Sequence, residues 1–144
     1  MKIEIKIDEG CTDTKIIVVT SKVTEEVNEI IKRLSSEQPQ MIAGFKDEQA
    51  TMLEPTQIYR VYASEGKVYA EVENGTHLLR LRLYEAEQRL AKCSFVRISN
   101  SEIINLKKVK GFDLSFAGTI CVSLSNGTVA YVSRRYVAKI KQLL

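Results

Sequence analysis

Two Asn-Gly pairs, Asn74-Gly75 and Asn126-Gly127, each stand between short runs rich in β-branched, aromatic and leucine residues. Asn-Gly in that setting is the strongest short-range signal for a β-hairpin, because both residues tolerate positive φ. A tight turn sets register, and register decides which side chains reach the core. In KVYAEVE, Val68, Ala70 and Val72 share one face. In HLLRLRL, Leu79, Leu81 and Leu83 share another, with Arg80 and Arg82 turned away. The second pair joins TICVSLS to TVAYVS. The strands flanking the two hairpins do not otherwise match, so no internal repeat is read from them.

From Met41 onward almost every run has strand character: MIAGF, ATMLE, IYRVYAS leading through Glu65-Gly66, FVRIS, EIINLKKV and DLSF. The expected fold class is mainly β, α+β overall. Helical pattern is confined to YEAEQRLA, one or two turns over 84–91, and to the tail RRYVAKIKQLL, with Val137, Ile140 and Leu144 inward. Ahead of Met41, KIEIKI puts Ile3, Ile5 and Ile7 on one face and reads as a half-buried strand. IIVVT, Ile16 to Thr20, reads as a second strand. The spacing then predicts a helix capped by Thr24, with Glu25 and Glu26 at its positive end. Its stripe of Val23, Val27, Ile30, Ile31 and Leu34 should pack on those strands, and Pro39 should end it. The expected organisation is a small strand-helix element, 1–44, ahead of a β domain, 45–144.

At 144 residues and 44% hydrophobic composition, the chain can bury a sizeable core. No apolar run approaches the ~18 residues that span a bilayer. The N-terminal MKIEIKIDEG has no apolar signal core, so a cytoplasmic protein is expected. Cys11, Cys93 and Cys121 are odd in number and at no metal-ligand spacing; they read as buried or semi-buried free thiols. Net charge is +3 but uneven. Met1 to Ala91 holds 12 Lys/Arg against 16 Asp/Glu; Lys92 to Leu144 holds 9 against Glu102 and Asp113 alone. A basic C-terminal third suits a polyanion; a solvated basic surface is the plain alternative.

Signals for catalysis are missing. His77 is the sole histidine and shares parity with Leu79 and Leu81, a packing or surface position. The glycines are isolated at turns, and the acids form no metal-ligand cluster. The reading is a non-enzyme without cofactor. Recognition remains. Phe95 to Asn105, FVRISNSEIIN, and Tyr131 to Val137, YVSRRYV, set Ser, Asn and Arg at strand ends. Hydroxyls and backbone N–H groups bind phosphate, while Asn and Arg can grip base edges with two hydrogen bonds.

Those two stretches resemble the LytTR DNA-binding domain family of bacterial transcription regulators. The family segment has the form F-x-R-x-H-x-S-x-x-V-N, followed by a strand pair and a Ser-Arg-x-Tyr segment opening the last helix. Phe95, Arg97, Ser101 and Asn105 match the first element; Ser133, Arg134 and Tyr136 match the second. The resemblance runs from about Phe45 to Leu144. It implies an elongated, almost all-β domain whose loops enter successive major grooves of double-stranded DNA. By position it implies base contacts from Lys67, Asn100 and Arg135. It implies DNA backbone contacts from Arg97, Ser101, Ser133, Arg134 and Lys139.

Two departures bear on this. Ser99 stands where the family segment has His. About forty residues precede the module, too few for the receiver domain many members carry, so a short stand-alone member is expected. Such relatives are commonly controlled by a small membrane protein, a partner these residues do not show. The first 44 residues fit a homodimerisation element or a cap on the sheet. Other readings stand beside these. Arg97 can serve an ion pair, and Asn105 can cap a turn. The alternative function is a protein-interaction or ligand-sensing module without DNA binding. Single-stranded RNA binding would call on Tyr59, Tyr62 and Tyr69, away from the Asn, Ser and Arg loops.

Overall fold

The computed structural model describes residues 1–35 and 41–144. They fall into two compact units, Met1–Gln38 and Pro39–Leu144. Among the described residues, the first holds one element, the helix α1, Glu25–Ser35. Thr24 caps it by accepting from the Val27 N–H at 3.3 Å, as its position predicts. Val27 is buried, but Ile31 and Leu34 are about half exposed and Val23 lies outside the helix at 70%. The two expected strands do not form. Ile3, Ile5 and Ile7 are 84–89% exposed, and neither Lys2–Ile7 nor Ile16–Thr20 joins a ladder among the described residues. The reason is that β-propensity measures fit to a partner strand, and the described residues of this unit offer none. The expectation that Pro39 stops the helix lies outside the described residues.

The second unit begins with β1, Ile42–Lys46, and β2, Gln49–Leu53. A short 3₁₀ turn leads to β3, Arg60–Ser64, then β4, Lys67–Val72, and β5, Gly75–Leu79. The helix α2, Leu83–Leu90, interrupts before β6, Phe95–Ser99, and β7, Glu102–Asn105. After β8, Val109–Asp113, β9, Ile120–Leu124, and β10, Val129–Val132, the chain ends in α3, Arg134–Leu143. Seven strands make one antiparallel sheet in the order β2-β1-β5-β4-β3-β7-β6; three make a second, β10-β9-β8. The fold is mainly β, as the runs require.

Two cores result. Val61, Val68, Ala70, Leu79 and Ile103 line one face of the large sheet and are sealed by Leu83, Ala86 and Leu90 of α2. Val96, Ile98 and Ile104 on the other face meet Ile120, Val122, Leu124, Val132 and Ile140. β7 is therefore covered on both faces, Ile103 in one core and Ile104 in the next, which is why its run is continuously apolar. Asn105, 2% exposed, ends it. Its Nδ2 donates to the Ile58 carbonyl at 2.9 Å, and its Oδ1 accepts from the Lys107 N–H at 3.0 Å.

Several boundaries differ from the sequence reading. HLLRLRL stops being strand at Leu79, because Arg82 and Glu85 open α2. EIINLKKV is broken by a 3₁₀ turn at Leu106–Lys108, and DLSF lies mostly beyond β8. Leu144 is 62% exposed, and Cys11 is exposed. The Asn-Gly pairs form hairpins by another turn. Only their glycines have positive φ, 129° at Gly75 and 91° at Gly127. At the second, the Gly127 N–H reaches the Leu124 carbonyl and the Leu124 N–H reaches Thr128, a type I turn with a glycine bulge. Two positive φ values in succession occur instead at Glu65-Gly66 and Asp47-Glu48.

Candidate nucleic-acid interface

The turn from β6 to β7, Ser99 to Ser101, is shaped by side chains of its own strand. A register shift between Arg97 and Ser99 frees it from the ladder. The Arg97 guanidinium folds back beneath it. Nε donates to the Ser99 carbonyl at 2.7 Å and Nη2 to the Asn100 carbonyl at 2.5 Å. Nη1 lies 3.5 Å from Glu87 of α2, and the Arg97 side chain is 16% exposed. Charge-assisted bonds to two successive carbonyls pin the turn. Ser99 adds a third tie: its Oγ accepts from the Ser101 N–H at 3.2 Å. That is how serine supports the loop at the departed position. Asn100 is left at the tip with its amide exposed.

Two other segments come up beside this tip. The Ser101 carbonyl accepts from the Ala63 N–H at 2.8 Å, near the end of β3. Tyr62 pairs with Glu102 and Ser64 with Lys67, so the Glu65-Gly66 hairpin ends at the same side of the sheet as Asn100. Lys67 is exposed there. The third segment is the start of α3. The Ser133 N–H donates to the Ile98 carbonyl at 2.9 Å, and the Tyr136 hydroxyl lies 3.4 Å from Asn100 Oδ1, a long hydrogen bond. Arg134, Arg135 and Lys139 are exposed on this helix. The loop between β8 and β9 passes alongside: a Cβ on Gly118 would sit 3.8 Å from Arg134 Nε.

The electrostatics of α3 run against its own stability. Its first turn carries no acid and begins Arg134-Arg135. Cations at a helix N-terminus are disfavoured by the dipole, by a few tenths of a kcal/mol to about 1 kcal/mol. Ser133, its N-cap, makes no side-chain cap bond. The positive end of the helix dipole and the two guanidinium groups together make a surface that attracts anions. Lys67, Asn100 and Arg135 thus stand on three adjoining segments, with Ser101, Ser133 and Arg134 beside them. Arg97 differs, since most of its donors are already engaged within the protein.

Two contributors have no task legible in the sequence. Tyr136 matches the motif, which assigns it no task; its ring lies 6.0 Å from the Arg135 guanidinium and its hydroxyl faces Asn100. Arg60 carries no signal of its role within its strand. It joins Glu71 at 3.1 Å and Glu102 at 3.2 Å, one residue from Ser101. Burial lifts the Glu102 carboxyl above its ordinary value, with Arg60 acting in the opposite direction. His77 is half-buried with Nδ1 unpaired, a packing position. Among the described residues, no helix is long and apolar enough to cross a membrane.

Residues 48–144 match the family described as LytTr DNA-binding domain. A solved LytTr DNA-binding domain from Bacillus cereus superposes with a TM-score of 0.69 at 24% identity, covering 72% of this chain and 95% of that one. At that identity the likeness speaks for the fold. Two Staphylococcus aureus proteins, from strains NCTC 8325 and COL, are each 29% identical over 145 residues. Each is described as an uncharacterized HTH-type transcriptional regulator, and the match spans 100% of this chain and 98% of theirs. In this chain, among the described residues, no two helices follow one another.

Proposed function

The chain belongs to the LytTr DNA-binding domain family, and from that premise we propose that it is a transcription regulator that reads duplex DNA through its loops. The observation that carries this reading is the convergence of two hairpin ends and the start of α3, tied by the Ala63–Ser101, Ile98–Ser133 and Asn100–Tyr136 hydrogen bonds. Lys67, Asn100 and Arg135 take the base edges in this proposal. Ser101, Ser133, Arg134 and Lys139 take phosphates. Arg97 holds the Asn100 turn first and adds positive potential beneath it. The sheet carries the tips and stays outside the groove. A protein of this kind works in the cytoplasm, as two copies on paired or repeated sites.

Selection of bound duplexes from a random pool, followed by mobility shifts on the enriched sequence, tests the reading. Enrichment of a defined motif is expected, with affinity falling steeply as salt rises through counterion release. No enrichment over input at low salt would remove duplex DNA as the ligand.

A further inference from the structure

The first unit contains a contradiction. Lys2 to Ile7 has the alternation of a strand, yet Ile3, Ile5 and Ile7 are 84%, 89% and 87% exposed and the segment pairs with nothing among the described residues. Its geometry is already extended in one respect: Lys2 Nζ lies 3.4 Å from Glu4 Oε1, two residues on, so the polar side chains share a side. A row of isoleucines opposite a row of charges needs a second strand to cover its backbone and its apolar side.

We propose that the second strand is the same segment of a second copy, paired antiparallel about a two-fold axis through Ile5. This deepens the reading of paired DNA sites by naming the surface that joins the two copies. The register follows from the residues. With Ile5 on the axis, Ile3 faces Ile7 of the second copy and Ile5 faces its equivalent, an all-isoleucine face. On the other side Glu4 faces Lys6 and Lys2 faces Asp8, each pair occurring twice. A pairing centred on Glu4 would oppose Glu4 to Glu4 and Lys2 to Lys6 and is repelled. Opposite charges directly across a ladder favour one register, and like charges exclude the other. Two-stranded ribbons are marginal in water. Each copy also brings Ile16, Ile17 and Val19, 69–92% exposed, as β-branched material for a wider sheet.

Sedimentation of the full chain, without DNA, tests the inference, with charge-swapped variants to read the register. The wild type is expected at twice the single-chain mass at tens of micromolar. Glu4→Lys and Lys6→Glu should each weaken association about tenfold, since each turns two attractive pairs into repulsive ones. The double variant, Glu4→Lys with Lys6→Glu, should restore it. Both positions are exposed in the single chain, so folding is unaffected, and circular dichroism checks this. A wild type that stays monomeric at 100 µM, or a double variant no better than the singles, overturns the proposal. The readout contains no DNA, so failure to bind any duplex leaves it standing. Equally, a monomer that still shifts a single half-site leaves the DNA reading standing.

Discussion

Arg135 and Arg134 are neighbours in sequence with the same chemistry, and the proposed tasks separate them. A guanidinium on a base edge discriminates; one on a phosphate only attracts. Arg135→Ala should weaken the preferred site by roughly 1–3 kcal/mol and relax selection at one position. Arg134→Ala should weaken all duplexes alike and lower the salt slope by about 1. Competition shifts with matched and scrambled sites measure both. An Arg135 variant with unchanged site preference would take that residue out of the reading role. Arg97 and Asn105 show what sequence could not apportion. Both are motif positions, and both turn out to work on the protein's own backbone, one beneath the Asn100 turn and one behind β7. Nothing in their spacing says which carbonyl lies within reach; that depends on how α2 and the 3₁₀ turn before β3 pack.

At the scale of elements, strand order and turn type part company. The runs announce the strands correctly where an adjacent partner exists, as in β3, β4, β6 and β9. Turn type differs from the expectation because Asn-Gly serves two hairpin geometries. Which one forms depends on the register the flanking strands can reach, Val72 with Gly75 in one case. The turn between β1 and β2 makes a direct test. Asp47 and Glu48 hold φ of 50° and 64°, in the left-handed region that costs a side chain about 1 kcal/mol relative to glycine. Glu48→Gly should therefore raise stability by about 0.5 kcal/mol once the extra chain entropy of glycine is subtracted. Urea unfolding measures it. A loss of stability would mean that the Glu48 side chain contributes more than its backbone loses.

For the whole molecule, a charge cluster adds a polar link between the two sheets. Glu71 Oε2 receives Arg60 at 3.1 Å, Thr128 at 3.1 Å and Asn126 at 3.3 Å, tying β4 to the β9–β10 hairpin. Arg60 continues to Glu102 beside the Asn100 turn. Burial raises the Glu102 carboxyl above its ordinary 4.5, against the pull of Arg60, so the folded state holds that proton more tightly than the unfolded chain. Its contribution favours folding below about 4.5 and is lost as pH rises through the raised folded value. Glu102→Gln removes this titration. The stability of that variant relative to wild type should grow from pH 4 to pH 7, followed by denaturant unfolding at each pH. A constant difference across the range would show that the carboxyl does not titrate within it.

Periodicity and composition alone determined that this chain is mainly β, that its last third is basic, and that Ser, Asn and Arg gather in the Phe95–Asn105 and Tyr131–Val137 stretches. These are local properties, written in side-chain parity and residue type. Only the tertiary structure decided that Lys2–Ile7 joins no ladder among the described residues of one copy. It alone decided that Arg97 is spent on the loop it supports, and that Tyr136 comes up beside Asn100, 36 residues away in sequence. A strand and a contact each require a second segment at hydrogen-bonding distance. Which segment arrives there is set by the packing of the two cores, not by the residues of either partner.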